Sequence, residues 1–209
     1  MPDGWDSALR LDYFSERGPG IGVDFDYETE NYFGLFRGYY INDQGDDDLG
    51  PLFSGPPEHD NRGRVTWRHR QYLPKDWELS LEVDYLSDPT FLWEFFPSQW
   101  FDEPHDTAVY LKKQRDNWAF TLLGQWRIND FITQTEHLPD AAFHLIGEPL
   151  GEFASLFSET HVGAVRFRPA DCLDAFNSDP DFLNPDVYRF LGVTPVSYTH
   201  LTLPTIYSV

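Results

Sequence analysis

Two groups of acidic side chains have the residue types and the spacing that could carry out chemistry. The first group is Asp24, Asp26 and Glu28, and the second is Glu78, Glu82 and Asp84. Two carboxyl groups at a fixed separation in a cleft hydrolyse glycosides, and the many tryptophans of the chain could serve as platforms for sugar rings. These acids instead recur at about every second position, the period of a strand, which is typical of a solvated face. We therefore expect no catalytic residue in either group and no enzymatic activity.

The other reactive residue types lack the spacing that a metal, cofactor or nucleophile site needs. Cys172 is the single cysteine, so it has no partner for an internal disulfide. No HExxH motif and no pair four residues apart occurs among the histidines, which include His69, His105, His137, His144 and His161. No catalytic triad, phosphate loop or nucleotide fingerprint is discernible. We expect no cofactor and no metal.

The charge balance and the aromatic content narrow the class of protein. The chain has 35 acidic and 15 basic residues and a formal net charge of −20, which repels phosphate backbones and argues against a nucleic-acid partner. Aromatic residues make up 17% of the chain, too many for an acidic disordered segment. No apolar run approaches the ~20 residues of a membrane helix, and the start MPDGWDSALRLD lacks the features of a signal peptide. Barrel strands leave a much weaker hydropathy signal, so a membrane location stays open.

Alternation of apolar and polar residues predicts a series of antiparallel strands. The segment WELSLEVDY alternates throughout, with its apolar residues on one face and its acids on the other. Nothing along the chain is typical of a long amphipathic helix. The predicted strands cover residues 5–13, 21–28, 32–41, 64–73, 77–85, 107–114, 117–127, 142–146 and 153–167.

Short turns alternate with long loops between these strands. The turns at 74–76 and 115–117 are tight, whereas the connections at 42–63 and 86–106 are long. A soluble sandwich does not require this rhythm, but an outer-membrane barrel has short turns at one end and long loops at the other. The sequence thus predicts an all-β fold, a curved antiparallel meander that forms a partial, open outer-membrane β-barrel of about eight to ten strands.

Two local features give finer expectations. The strand at 64–73 carries Arg64, Arg68 and Arg70 opposite the second acidic group, which predicts cross-strand ion pairs. The segment 90–101 is rich in Phe and Trp, and we expect it to fold back over the barrel lumen, to anchor at a membrane interface, or to pack on its own side chains.

The end of the chain has an unusual origin in our interpretation. The residues VSYTHLTLPT back-translate into the transposon end and adapter used in DNA library preparation, read in frame. We therefore divide the chain into a partial β-barrel domain, residues 1–195, and a read-through artefact, residues 196–209. We expect the natural protein to continue beyond Pro195.

Several ordered motifs resemble the LptD family of lipopolysaccharide-assembly proteins, also called the organic-solvent-tolerance family. The motifs are LDYFSERGPGIGVDFDYE, NRGRVTWRHRQYLPKDWELSLEVDYLSDPTFLWEFF, NWAFTLLGQWRINDF and TEHLPD. They include an Arg-Gly pair before one strand and a Ser-Asp pair after the next. The resemblance implies a piece of an outer-membrane β-barrel that inserts lipopolysaccharide into the outer leaflet.

The resemblance also implies partners and a location. They are lipopolysaccharide, membrane lipid, and, for the full-length protein, a plug lipoprotein and the components of a periplasmic bridge. The piece would carry early barrel strands and would not transport on its own. In that setting the six acids named above would face the lumen, and the residues facing lipid would be Trp77, Leu79, Leu81, Val83 and Tyr85, with the two aromatic ends near the interfaces. Two alternatives remain: a secreted or periplasmic carbohydrate-binding β-sandwich, and a generic outer-membrane channel.

Overall fold

A computed structural model describes residues 4–48, 54–57, 59–99, 105–149, 154–170, 197–201 and 205–208. Almost all of these residues lie in antiparallel strands, and helix is confined to two short turns. The strands are β1 (Gly4–Phe14), β2 (Gly18–Glu28), β3 (Tyr32–Asn42), β4 (Asp47–Asp48), β5 (Ser54–Gly55), β6 (Asn61–Leu73), β7 (Trp77–Leu86), β8 (Thr107–Arg115), β9 (Trp118–Trp126), β10 (Gln134–Pro149), β11 (Ala154–Arg168), β12 (Ser197–Leu201) and β13 (Thr205–Ser208). The helix α1 is Phe91–Phe95, and a single 3₁₀ turn follows at Pro97–Gln99.

One sheet contains nearly all of these strands. Its hydrogen-bonded order from β1 to β11 follows the chain, with β4 and β5 forming a separate pair. The meander therefore has nine strands, and within the described residues β1 pairs with β2 alone, so the sheet is not closed. The predicted all-β, open antiparallel meander of about eight to ten strands is confirmed.

Alternate connections of the meander differ in length, as the sequence predicts. The connections 29–31, 74–76 and 116–117 are short, and the connections 43–60 and 87–106 are long. The turn 15–17 between β1 and β2 is an exception, because it is short although its Arg17 contacts Asp43 of a long connection. Lys75, Asp76 and Asp116 have positive φ values of 66°, 64° and 49°, which suit tight hairpins because their backbone twist matches that of the paired strands. The register of each hairpin is thereby set locally.

One predicted strand is wrong in length. The sequence suggested a short strand at 142–146, but β10 runs over Gln134–Pro149. Between His137 and Asp140, β10 has an extra residue relative to both of its neighbouring strands, β9 and β11. This bulge, with Pro139 inside it, breaks the alternation that strand prediction relies on.

Some parts of the chain named in the sequence analysis lie outside the described residues or leave a prediction untested. The acidic segment 171–196, with Cys172, lies outside the described residues, as do Trp100 and Phe101 of the aromatic loop. β12 and β13 form within the proposed read-through tail and pair with β11. Sequences rich in Thr, Tyr and Leu favour strands whatever their origin, so this pairing leaves the read-through prediction untested.

The chain divides into two compact units. The first comprises residues 1–70 and 81–107, and the second comprises 71–80 and 108–209. None of the helices among the described residues combines the length and the apolar character that a membrane-spanning helix needs. The fully buried apolar side chains lie in the first unit, where α1 and the end of β3 meet: Tyr39, Ile41, Leu86, Phe91 and Leu92.

Candidate functional site

One face of the first unit's sheet is apolar and open. The register pairs Leu9 with Val23, Leu11 with Ile21, and Ile21 with Tyr40, so these side chains share a face. Leu9, Leu11 and Tyr13 are exposed by 65%, 72% and 78%, and Ile21, Val23 and Tyr40 by 42–49%. A contiguous exposed apolar surface of this kind marks contact with a membrane or another apolar partner.

Aromatic residues recur at both ends of the apolar side of four strands. Each of these strands carries an aromatic pair eight residues apart: Trp5 and Tyr13 in β1, Tyr32 and Tyr40 in β3, Trp77 and Tyr85 in β7, and Trp118 and Trp126 in β9. No charged residue lies on that face between the members of any pair. Eight residues span ~26 Å along a strand, or roughly 20 Å across a layer at a 40° tilt. With the rings added, this matches the apolar band of a membrane strand, which is about 25 Å tall.

The sequence interpretation recognised this pattern in β7 alone. Of its five predicted lipid-facing residues, Trp77, Leu79, Leu81 and Val83 are half-buried and Tyr85 is 45% exposed. The same spacing in the other three strands was present in the sequence and could have been found by searching for aromatic residues at positions i and i+8. That these residues face lipid stays a prediction.

The opposite face carries charges held in ion pairs. Asp26 receives two hydrogen bonds from the Arg37 guanidinium, at 2.7 and 2.8 Å, and Asp24 lies 3.5 Å from Arg37 and 3.4 Å from Arg10. The predicted cross-strand pairing is present between Arg68 and Glu82, at 2.9 Å. Asp24, Asp26 and Glu82 therefore lie on the charged face of their strands, where arginines neutralise them.

The remaining predicted acids differ in their surroundings. Asp84 is 2% exposed and lies 3.1 Å from His105 Nδ1, and it also accepts a hydrogen bond from Thr66. Glu28 is exposed at the end of β2, and Glu78 is half-buried at the start of β7, in the second unit. The facing of all six acids toward a lumen stays a prediction.

A buried charge network lies where the long connections leave the first unit's sheet. Arg62 is fully buried, and each of its five N–H groups donates a hydrogen bond. Its Nε and Nη2 hold Asp88 at 3.0 and 2.8 Å, its Nη1 reaches Asp43 and Asp47 at 2.8 and 2.7 Å, and Nη2 also reaches the Thr90 hydroxyl at 2.9 Å. Such a fork-to-carboxylate arrangement is charge-assisted and geometrically specific.

Arg17, from the turn between β1 and β2, adds a second cation to this network. Its Nη1 lies 2.8 Å from Asp43 and 3.1 Å from Asp47, and its Nη2 lies 2.7 Å from Glu94 of α1. The network therefore ties together three connections that are distant in sequence. It also joins the Arg-Gly and Ser-Asp motifs of the sequence, because Arg62 and Asp88 are their charged members.

The Asp88 carboxyl shows the electrostatic effect of this arrangement. Burial alone would raise its pKa, but hydrogen bonds and charge attraction from Arg62, with further hydrogen bonds from Ser87 and Thr90, outweigh burial and lower the pKa. Asp88 is therefore ionised when the protein is folded, as a bidentate partner of Arg62 must be.

The aromatic segment after Asp88 packs onto the charged face of the sheet. Phe95 contacts Phe14 and Tyr39 at centroid distances of 5.6 and 6.5 Å, and Phe96 lies 5.1 Å from Tyr39. The Arg64 guanidinium stacks 4.1 Å from the Phe96 ring. Of the three predicted placements, the described part of this segment folds back over the polar face, with Phe91 and Phe95 also packed together at 5.3 Å.

The second unit has the same two-faced character. At its short turns, Lys113 Nζ lies 5.1 Å from the Trp77 ring and 5.6 Å from the Trp118 ring, the geometry of a cation–π contact. On the polar face, Asp140 lies between His137 and His161, with His137 Nδ1 at 2.8 Å. Within the described residues, no group of three or more His, Cys, Asp or Glu side chains is arranged to hold a metal.

The fold and its surfaces define a class: an open antiparallel sheet with one aromatic-bounded apolar face and one charged face partly covered by a long loop. No family model matches the chain. The chain is 25% identical over 152 residues to a protein described as LPS-assembly protein LptD, from Pseudoalteromonas translucida (strain TAC 125). The match covers 66% of this chain and 19% of that protein, so the chain spans about a fifth of its relative's length. This similarity supports a distant relationship to LptD.

Proposed function

We propose that this chain is a wall segment of an outer-membrane β-barrel that inserts lipopolysaccharide into the outer leaflet. The observation that carries the proposal is the exposed apolar face bounded at both ends by aromatic residues, because water disfavours such a surface and a bilayer matches its height. Tyr and Trp prefer the two membrane interfaces, where the ring is apolar and the polar group stays hydrated.

The second support is the similarity to a protein described as an LPS-assembly protein. From it we take lipopolysaccharide as the transported lipid, the outer membrane as the location, and a plug lipoprotein and periplasmic bridge components as partners of the longer protein. Because the match covers 19% of that relative, this chain would supply part of a barrel wall and would need the remaining strands to close it.

In this proposal, the two faces of the sheet have different roles. The apolar face contacts lipid, and the charged face lines the polar interior. The Arg62 network ties Asp43 and Asp47 of one long connection and Asp88 of the other to β6, and α1 covers part of the interior face. In a barrel that releases lipid sideways, a fixed loop on this face would restrict escape through the lumen.

A role without enzymatic chemistry agrees with the state of the acids. A glycosidase needs one protonated and one free carboxyl group facing a cleft. Asp24, Asp26 and Glu82 are instead within salt-bridge distance of arginines on neighbouring strands. A carbohydrate-binding sandwich would bury its apolar face against a second sheet, whereas here residues such as Leu11 and Tyr13 of that face are exposed.

The test is depletion of the gene in its native host. We expect depletion of the complete reading frame that contains this chain to lower the lipopolysaccharide accessible to an external antibody and to leave more of it in the inner-membrane fraction. Unchanged lipopolysaccharide together with ion conductance of the purified product would favour a general channel. Recovery of the product as a soluble, sugar-binding monomer would favour the sandwich, and either outcome would overturn the proposal.

A further inference from the structure

A cluster of arginines surrounds one buried carboxylate in the second unit. Arg166 Nε lies 2.5 Å from Glu136 Oε2, Arg168 Nε lies 3.3 Å from the same oxygen, and the backbone N–H of Arg127 donates to Glu136 Oε1 at 3.1 Å. The Glu136 side chain is 4% exposed, whereas those of Arg166 and Arg168 are each 38% exposed. Two arginine side chains and the backbone N–H of a third arginine therefore contact one glutamate, in a chain whose net charge is −20.

The register places this cluster on the apolar face. Gln125 of β9 pairs with His137 of β10, so their neighbours Trp126 and Glu136 point to the other side. Trp126 alternates in step with Trp118, Phe120 and Leu122, which belong to the apolar face. Glu136 pairs with Arg166 and Gln134 with Arg168, so both arginines lie on the face of Trp126.

The position along the strands is also defined. Arg168 is the last residue of β11, and Arg166 lies two residues before it. Trp126 is the last residue of β9. These residues lie at the end of the sheet opposite the short turn 116–117. The cluster therefore lies at the edge of the apolar surface, beside a Trp that is 37% exposed.

The geometry of Arg127 fixes the loop that closes this edge. Its Nη1 donates to the backbone carbonyl oxygens of Asp130, at 2.7 Å, and of Pro169, at 2.6 Å. The connection after β9 is thus tied to the end of β11, and Arg166 and Arg168 are presented on a braced surface. A single buried glutamate needs one cation for neutrality, so the second arginine side chain at Glu136 is more than its burial requires.

We propose that Arg166 and Arg168, oriented by Glu136 and flanked by Trp126, form an outward-facing site for the phosphate-bearing head group of an anionic lipid. Guanidinium groups bind phosphate oxygens in pairs, and the adjacent apolar face accepts the acyl chains. The inference rests on the proposed function, since it needs the apolar face to contact lipid. It adds a lipid-binding site on the outside of the wall, at the end of the second unit's strands opposite the short turn 116–117.

The test measures partition of the full chain into vesicles of phosphatidylcholine alone and of phosphatidylcholine mixed with phosphatidylglycerol. We expect tighter binding to the mixed vesicles despite the negative charge of the protein. In the variant R166Q/R168Q, the ratio of binding to mixed vesicles over binding to neutral vesicles should fall roughly 30-fold, because each basic residue near an anionic surface contributes about 1 kcal/mol, or fivefold. The matched control K112Q/R115Q removes two positive charges from the same unit near the short turn 116–117 and should keep the preference.

A second variant covers the case in which R166Q/R168Q does not fold. E136Q removes the internal competitor for the arginines, so it should raise the preference for phosphatidylglycerol by about fivefold. A purely structural role of Glu136 predicts an unchanged or lower preference instead. Circular dichroism and partition into neutral vesicles verify that each variant is folded.

The outcomes separate this inference from the proposed function. Failure of the wild-type chain to enter neutral vesicles would overturn the proposed function. Equal entry into both vesicle types, or an equal loss in R166Q/R168Q and in the control, would overturn the head-group site alone. Binding of inorganic phosphate as tight as that of phosphatidylglycerol would also overturn the assignment to a lipid.

Discussion

Replacement of Arg62 by Met tests the buried charge network in the first unit. Arg62→Met keeps most of the side-chain volume but removes all five N–H donors and the positive charge. Asp43 and Asp47 would still reach Arg17, at 2.8 and 3.1 Å, but Asp88 would lose its bidentate partner. The side chains of all three carboxylates are at most 1% exposed, so water cannot replace the lost hydrogen bonds without opening the loop.

The expected loss is about 3–5 kcal/mol in the free energy of unfolding, the usual cost of breaking one side of a buried ion pair. Arg62→Lys should lose roughly 2–3 kcal/mol, because Lys keeps the charge but its three donors cannot form the planar fork. Asp88→Asn combined with Arg62→Met should cost less than the sum of the single changes, by at least about 1 kcal/mol.

The assay is urea unfolding of the detergent-solubilised chain, followed by tryptophan fluorescence. Arg115→Met is the matched control, because the Arg115 side chain is 65% exposed and lies 3.7 Å from an exposed Asp116. It should change stability by no more than about 0.5 kcal/mol. A loss below about 1 kcal/mol for Arg62→Met, or a loss equal to that of the control, would refute the network as a stabilising element.

Three further predictions concern pH, packing and the aromatic boundary. The folded-state pKa of Asp88 is lowered, so its stabilising effect is complete above its unfolded pKa of about 4 and is lost as the pH falls through its folded value. Asp88→Asn should therefore flatten the fall in the free energy of unfolding below about pH 4. An unchanged slope of stability against pH would contradict this. Gly34→Ala should destabilise by about 1–3 kcal/mol, because a Cβ would meet the Arg68 carbonyl and the Tyr27 ring, whereas Gly4→Ala has nothing within 4 Å and should cost almost nothing in urea titrations. Tyr40→Ala should weaken partition into neutral vesicles, because Tyr40 lies at the end of the apolar face. Tyr72→Ala should not, because Tyr72 is equally exposed but lies on the face of β6 that carries the arginines. Equal effects of the two variants would count against the aromatic boundary.

The sequence was most informative where a single local rule controls the structure. Regular alternation in β1, β2, β7 and β9 predicted these strands to within a few residues, because one face of each had to be apolar. Gly34 lies in β3 where a Cβ would meet the Arg68 carbonyl of β6, so a residue without a side chain suits this close approach. β10 failed because a bulge changes which residues share a face, and no rule of alternation anticipates where it falls.

The site was less accessible from the sequence because its contacts are remote along the chain. Arg62 and Asp88 were noted as members of motifs, but nothing in either motif showed that they bind each other across 26 residues. Arg17 and Asp47, 30 residues apart, gave no signal at all. Pairings of this kind follow from the sheet register and the path of the loops, which only the three-dimensional arrangement supplies.

The most direct test of the membrane-wall account compares two neighbouring positions of β7. In a Cys172→Ser background, Leu81→Cys and Glu82→Cys each receive an environment-sensitive fluorophore in the full chain reconstituted into vesicles. We expect the label at position 81 to be quenched by a lipid-attached quencher and the label at 82 by a water-soluble one, because successive side chains of a strand face opposite sides. Equal quenching of both labels by the water-soluble quencher would contradict the account and indicate a sheet outside the bilayer.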